Sequence, residues 1–342
     1  MHIKKEETKM KYTNKILLLS SMMLLASCGN NQAPATTSAR AANTVDYVLV
    51  AEPSMTPALS KNAKASQYAS ISEEYAKKSG NKPIMQASVF VNDNADADKV
   101  NAFLGTLEKD IAAFIENPAV IDSSIAGMSE TEASAKLGVP SLAVLKAVSK
   151  NGNRMGLGYK NAFENKAAID NFLTLFGLTA AESAYYKGQS TAPESYELDL
   201  KIACPSGAPA VALYKHLKEP EAKLEINASA TNVVAYLAPN SSKDIVIAPT
   251  NAGITAINKK NAPFKLAATI TFGNFYLAAT GNDANGKLDP DDYVVAFQQN
   301  NVPDKIFRYV YSDVAFTNLH YVDQASDAAA CLISGINIAD SK

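Results

Sequence analysis

Short apolar runs that each end in a turn bearing proline, glycine or asparagine, and then pass into a helical stretch, recur along this chain. That alternation restricts the fold more than any other feature. The run 47–51 ends in Glu52-Pro53, and the run 198–203 passes into Pro205-Ser206-Gly207-Ala208-Pro209. Residues 245–248 precede Pro249-Thr250-Asn251-Ala252-Gly253, residues 293–297 precede a turn through Gln298, Asn300 and Asn301, and 319–322 lead to a helix ending near Gly335. Continuous apolar runs suit strands buried on both faces of a parallel sheet, with the intervening helices covering it, so the pattern predicts an α/β fold. Residues 85–91 read as a further strand and 264–280 as a strand-like aromatic stretch. Residues 96–116 place Val100, Phe103, Leu104, Leu107, Ile111 and Phe114 on one helical stripe. Residues 129–186 read as mostly helical with breaks near Pro140, 152–158 and Gly177, and 188–195 as a linker.

The front of the chain is different in kind. Lys4, Lys5, Lys9, Lys11 and Lys15 precede an apolar segment, 16–26, that is too short to span a bilayer, and small residues then lead to Cys28. Leu25-Ala26-Ser27-Cys28 resembles the lipobox of bacterial lipoproteins. The resemblance implies that 1–27 is a signal peptide and that Cys28 carries a diacylglyceryl group. Its two acyl chains, at about 0.8 kcal/mol per buried methylene, would hold the protein on the extracytoplasmic face of the cell membrane. Residues 28–43, rich in Asn, Gln, Ala, Pro, Thr and Ser, read as a flexible stalk.

Roughly 315 residues follow the leader, enough for one large or two medium domains. The net charge is −2, and the leader holds five lysines against two glutamates, so the body is more acidic than the whole. That balance argues against a nucleic-acid partner. Cys204 and Cys331 form no disulfide framework and read as small buried hydrophobes, and His216 and His320 are isolated from other metal-ligating residues. No cofactor is expected. Residues 281–288 have the spacing of a phosphate-binding loop, but Leu288 stands where a metal-binding hydroxyl is needed.

The turns named above, with Thr271-Phe272-Gly273-Asn274-Phe275-Tyr276 and Asn301-Val302-Pro303-Asp304, resemble successive motifs of the bacterial ABC-importer solute-binding proteins. The nearest branch includes receptors for alkanesulfonates, nitrate and thiamine pyrimidine precursors. The resemblance implies a two-lobed, type II periplasmic-binding-protein-like fold with a hinge and an interlobe cleft, a monomer that passes a small solute to an ABC permease. The order departs from the family: the segment 198–335 comes first there and the Ala51-Glu52-Pro53 strand follows it. A circular permutation accounts for this, with the family's ends fused through 188–195 and new ends opened near 43 and 340. Lobe one is then 86–280, and lobe two joins 44–85 to 281–342, with hinge crossings near Gln86 and Thr280.

Helix N-termini in such turns present unpaired N–H groups and a partial positive charge. The expected ligand-binding residues are Ser206, Gly207, Ala208, Thr250, Asn251, Ala252, Asn274 and Gln86 from lobe one, and Glu52, Gln298, Asn300 and Asn301 from lobe two. Glu52 can equally serve as a helix N-terminal carboxylate, and Phe272, Phe275, Tyr276 and Phe297 either stack on a flat ligand or belong to the core. No Arg or Lys lies in these turns, which favours a polar or heterocyclic solute over a fully charged one. The rival readings are an enzyme of the same fold acting on thiamine or a pyrimidine precursor, with Cys204 facing Glu52, and a surface lipoprotein without ligand. Cys204 sits on an apolar strand, where burial raises a thiol pKa rather than lowering it.

Overall fold

The structure, a computed structural model, describes residues 43–281 and 286–338. The leader, Cys28 and the stalk lie outside the described residues. Eleven strands form two sheets: β1 (Tyr47–Ala51), β2 (Ser66–Ser70), β3 (Ala87–Asn92), β4 (Leu157–Asn161), β5 (Ile202–Pro205), β6 (Leu224–Asn227), β7 (Ile245–Pro249), β8 (Phe264–Thr271), β9 (Phe275–Ala279), β10 (Tyr293–Phe297) and β11 (Asn318–Val322). One sheet has the order β11-β10-β1-β9-β2 and the other β4-β8-β3-β7-β5-β6. The chain is thus α/β, but both sheets are mixed rather than parallel. β1 runs parallel to β10 and antiparallel to β9, and β3 runs antiparallel to both its neighbours.

The apolar runs form strands because their alternate residues enter different cores. Val89 and Val91 of β3, and Ile245 and Ile247 of β7, belong to one cluster, whereas Phe90, Val246 and Ala248 point the other way into a second. The six-stranded sheet is therefore buried on both faces, as unbroken apolar runs require. The helix Ala97–Glu116 covers one face with the predicted stripe. It starts at Asp96, whose carboxylate accepts from the N–H groups of Asp98 (3.0 Å) and Lys99 (3.2 Å).

Three strands were not anticipated: β2, β4 and β6. The run 198–203 begins pairing only at Ile202, because β7, its neighbour, begins at Ile245; Leu198 and Leu200 are buried without a strand partner. The stretch 264–280 is two strands, not one. It breaks at Phe272-Gly273-Asn274, where Gly273 has φ 93°, and β9 joins the five-stranded sheet while β8 stays in the other. The boundary expected at Thr280 therefore lies at 272–274. The chain also passes from one sheet to the other from β2 through the helix Ile71–Ser79 to β3.

The ends of the described chain pair with each other. Thr44 bridges Ile336, the Val45 N–H donates to the Gly335 carbonyl (3.0 Å), and the Asn337 N–H donates to the Asn43 carbonyl (3.0 Å).

Candidate functional site

Strand direction determines where the turns gather. In the five-stranded sheet the carboxyl ends of β1, β2, β10 and β11 and the start of β9 share one edge; in the other sheet the carboxyl ends of β5, β6, β7 and β8 and the starts of β3 and β4 share one edge. Both crossings leave from these edges. The three-residue connection 272–274 keeps the two edges close to each other.

Just after β1 stands Glu52, 2 % exposed and joined to Pro53 by a cis peptide bond. Its carboxylate accepts from the Thr56 N–H (3.1 Å) and hydroxyl (2.5 Å), anchoring the first turn of the helix Met55–Lys61, and from Arg154 Nε at 2.9 Å. Arg154 comes from the turn before β4, on the opposite edge, so this ion pair bridges the two sheets. The guanidinium also lies over the Tyr276 ring, 4.4 Å from its centroid. The Tyr276 hydroxyl is pushed up in pKa by burial, an effect Arg154 partly opposes. The terminal nitrogens of Arg154 have no partner among the described residues.

The expected site residues divide into those the fold has committed and those it has not. The Thr250 hydroxyl is fully buried, bonded to Ser88 Oγ (2.7 Å), which in turn meets Thr269 Oγ1 (2.9 Å); it stitches the core and cannot reach a ligand. Asn274 is spent on Glu52, its Nδ2 donating to the Glu52 carbonyl (2.6 Å). Glu52 is itself consumed by Thr56 and Arg154. The Gly207 N–H donates to the Leu137 carbonyl (2.7 Å), Ser206 packs against Gly138, and the helix Ala208–Ala212 has only five residues, so the Gly207 N–H is already committed within the fold. In the turn after β10, Asn301 Nδ2 donates to Gln298 Oε1 (2.6 Å) and Asn301 Oδ1 accepts from the Val302 N–H (2.7 Å). The Asn300 N–H donates to buried Asp304 (2.7 Å). These contacts cap the helix Val302–Val310. Phe275 and Phe297 pack on one another, ring centroids 6.1 Å apart, in the core.

Gln86 and Asn251 are different. The Gln86 carbonyl accepts from the Thr250 N–H (3.0 Å), which places the two residues side by side on the edge of the six-stranded sheet. Gln86 Oε1 and Asn251 Oδ1 are both buried and neither has a hydrogen-bond partner. Ala252 follows in the same first turn, half-buried. A buried acceptor without a donor costs about 1–3 kcal/mol, which a ligand N–H or O–H would recover. The edge of the six-stranded sheet thus carries two amide oxygens without a partner and, in the turn before β4, a guanidinium whose outer nitrogens have none.

Arg154 is not among the residues expected from the sequence, because it lies in a turn that precedes a strand rather than one that follows it. The signal was there: Asn151-Gly152-Asn153-Arg154-Met155-Gly156 places one of the chain's three arginines in a turn with φ 81° at Gly152 and 63° at Gly156. A Cβ at Gly156 would overlap the Gly273 carbonyl, so this turn packs directly on the crossing.

Cys204 is fully buried, with its thiol directed at the Pro205 carbonyl (3.2 Å) and its pKa raised well above the usual value by desolvation. Burial of this kind disfavours the thiolate that a nucleophilic cysteine needs. Among the described residues no group of three or more His, Cys, Asp or Glu side chains could hold a metal ion, and no helix is long and apolar enough to cross a membrane. No protein-family model, curated protein or solved structure matches this chain.

Proposed function

We propose that the protein is a lipid-anchored extracytoplasmic solute receptor of the two-lobed, type II periplasmic-binding-protein kind, circularly permuted, which closes on a small polar or heterocyclic solute and delivers it as a monomer to an ABC permease. The observation that carries the reading is the pair of buried, unpartnered amide oxygens of Gln86 and Asn251 at the sheet edge that the inter-sheet crossings adjoin. Two sheets joined by two adjacent crossings suit hinged closure, and Arg154 supplies a donor for a carbonyl or anionic group on the solute. The solute would present N–H or O–H groups to Gln86 and Asn251. Pairing of Thr44 with Ile336 supports the permutation, since ends newly opened within one loop must lie together. The lipobox-like Leu25-Ala26-Ser27-Cys28 supports the anchor.

A melting-temperature screen against pyrimidines, thiamine, alkanesulfonates, nitrate and amino acids tests the reading. At a hundred times its Kd, a true solute stabilises by about 2.7 kcal/mol, a rise of about 5 °C or more for a body of this size. The Asn251→Ala protein should lose that rise while keeping the melting temperature of the free protein within a degree or so. A panel in which nothing raises the midpoint argues for a surface lipoprotein without ligand.

A further inference from the structure

A cavity of about 770 Å³ lies on the outer flank of β4. Its walls are β4 with the turn that follows it, the segment 186–190, and Glu108 of the helix Ala97–Glu116. The segment is held there at both ends. The Tyr186 N–H donates to the Leu266 carbonyl (2.9 Å) beside β8, the Thr191 N–H donates to the Asn101 carbonyl (3.1 Å), and the Tyr159 hydroxyl meets Ser190 Oγ at 3.0 Å. Gly105 allows the docking, because a Cβ there would overlap the backbone at Thr191 and Ala192. The cavity wall is therefore built, although the linker has no regular secondary structure.

Its lining has an uncommon combination. Phe163 is 40 % exposed, the one aromatic among the exposed large hydrophobic residues of the described chain, and Tyr159 and Tyr186 stand with it. Around these rings the side chains of Glu108, Glu164, Lys160 and Gln189 have no hydrogen-bond or ion-pair partner among the described residues. Lys187 is already paired with Glu182 (2.7 Å) and lies over the Phe163 ring at 4.9 Å. Carboxylates accept only, an ammonium donates only, and an amide does both. All four are exposed and meet water in the free protein, so a ligand replacing that water at all of them carries groups that each donate and accept, as hydroxyls do. Both signs of charge are present, so neither a strong anion nor a strong cation is selected. The volume lies within the range of small-molecule sites, while the polar lining is unlike the mostly apolar wall that drug-like ligands occupy. A peptide adding as a strand is disfavoured, because β4 is an edge strand with an irregular register between Leu157 and Lys160 and a charged residue at Lys160.

We infer that this cavity is a second ligand site, for a neutral oligosaccharide whose ring faces pack on Phe163 and the neighbouring tyrosines and whose hydroxyls bridge Glu108, Glu164, Lys160 and Gln189. It is independent of the reading at Gln86 and Asn251. Calorimetric titration of the full chain with maltotriose, cellotriose and chitotriose tests it. At least one should bind saturably, and Phe163→Ala should weaken that binding by about tenfold, equivalent to about 1.4 kcal/mol. Gln189→Ala should weaken it severalfold. Phe163 is exposed, so its loss leaves the melting temperature unchanged, and Asn251→Ala at the sheet edge leaves the sugar affinity unchanged. Absence of saturable binding by all three sugars up to about 10 mM, or sugar binding that survives Phe163→Ala, overturns the assignment. So does saturable binding of tetra-alanine in their place.

Discussion

Replacing Gly253 by alanine should destabilise the protein by about 3 kcal/mol. Gly253 lies in the first turn of the helix Thr250–Lys260, and a Cβ there would overlap the ring of Phe90 on β3. Phe90 is fully buried in the core. Helix propensity alone would favour alanine by about 1 kcal/mol, so any loss measures the clash. Urea unfolding followed by circular dichroism should show a lower midpoint with an unchanged slope. Adding Phe90→Leu should recover at least about 1 kcal/mol, since the two sites are in contact and non-additive. Gly281→Ala, at a position where a Cβ meets nothing, should lie within about 0.5 kcal/mol of the parent. The result bears on function, because this close approach of helix to sheet sets Asn251 beside Gln86.

Removing the other half of the inter-sheet ion pair should be nearly as costly. Arg154→Ala leaves the Glu52 carboxylate, whose side chain is wholly buried, without its guanidinium. Breaking a buried pair costs about 3–5 kcal/mol, but Arg154 is itself a quarter exposed and Thr56 continues to donate to Glu52, so about 2 kcal/mol is expected. That figure includes the guanidinium's position over Tyr276, about 0.5–1 kcal/mol. Glu52→Gln should cost less, because its amide can still meet Thr56 and Arg154 retains water. In the Glu52→Gln, Arg154→Ala double variant the losses should sum to more than the combined loss, giving a coupling of about 1 kcal/mol by double-mutant cycle. Strict additivity would mean that the pair does not act between the two sheets as its geometry implies. Solvent exchange at the backbone of 272–274 should rise in Arg154→Ala, since the same pair holds the two edges together.

The central strands were legible because each has two strand neighbours and two covered faces. Tyr47–Ala51 and Tyr293–Phe297 are unbroken apolar runs for that reason. The strands that escaped notice, Ser66–Ser70, Leu157–Asn161 and Leu224–Asn227, are all sheet edges, and their sequences SQYAS, LGYKN and LEIN carry polar residues because one side of the ladder is open. The parallel sheets expected from alternation became mixed because β3, β8 and β9 pair antiparallel with their neighbours across long connections that no local pattern records.

The site was legible in the same partial way. Glu52, Gln86 and Asn251 could be singled out from their places at strand ends. What each does depends on partners far along the chain. Arg154, 102 residues from Glu52, turns a candidate ligand group into a strut. Ser88 and Thr269 turn the Thr250 hydroxyl into core. Gln86 and Asn251 stand out by the opposite property, since no residue satisfies them, and that only coordinates can reveal.

Hydrogen exchange with and without the solute that most raises the melting temperature tests the central claim most directly. Protection should increase together in peptides containing Glu52 and in those containing Gln86 and Asn251, because a ligand bound between the sheet edges orders both. Protection confined to one sheet, or to residues 159–165 and 186–190, would contradict the account.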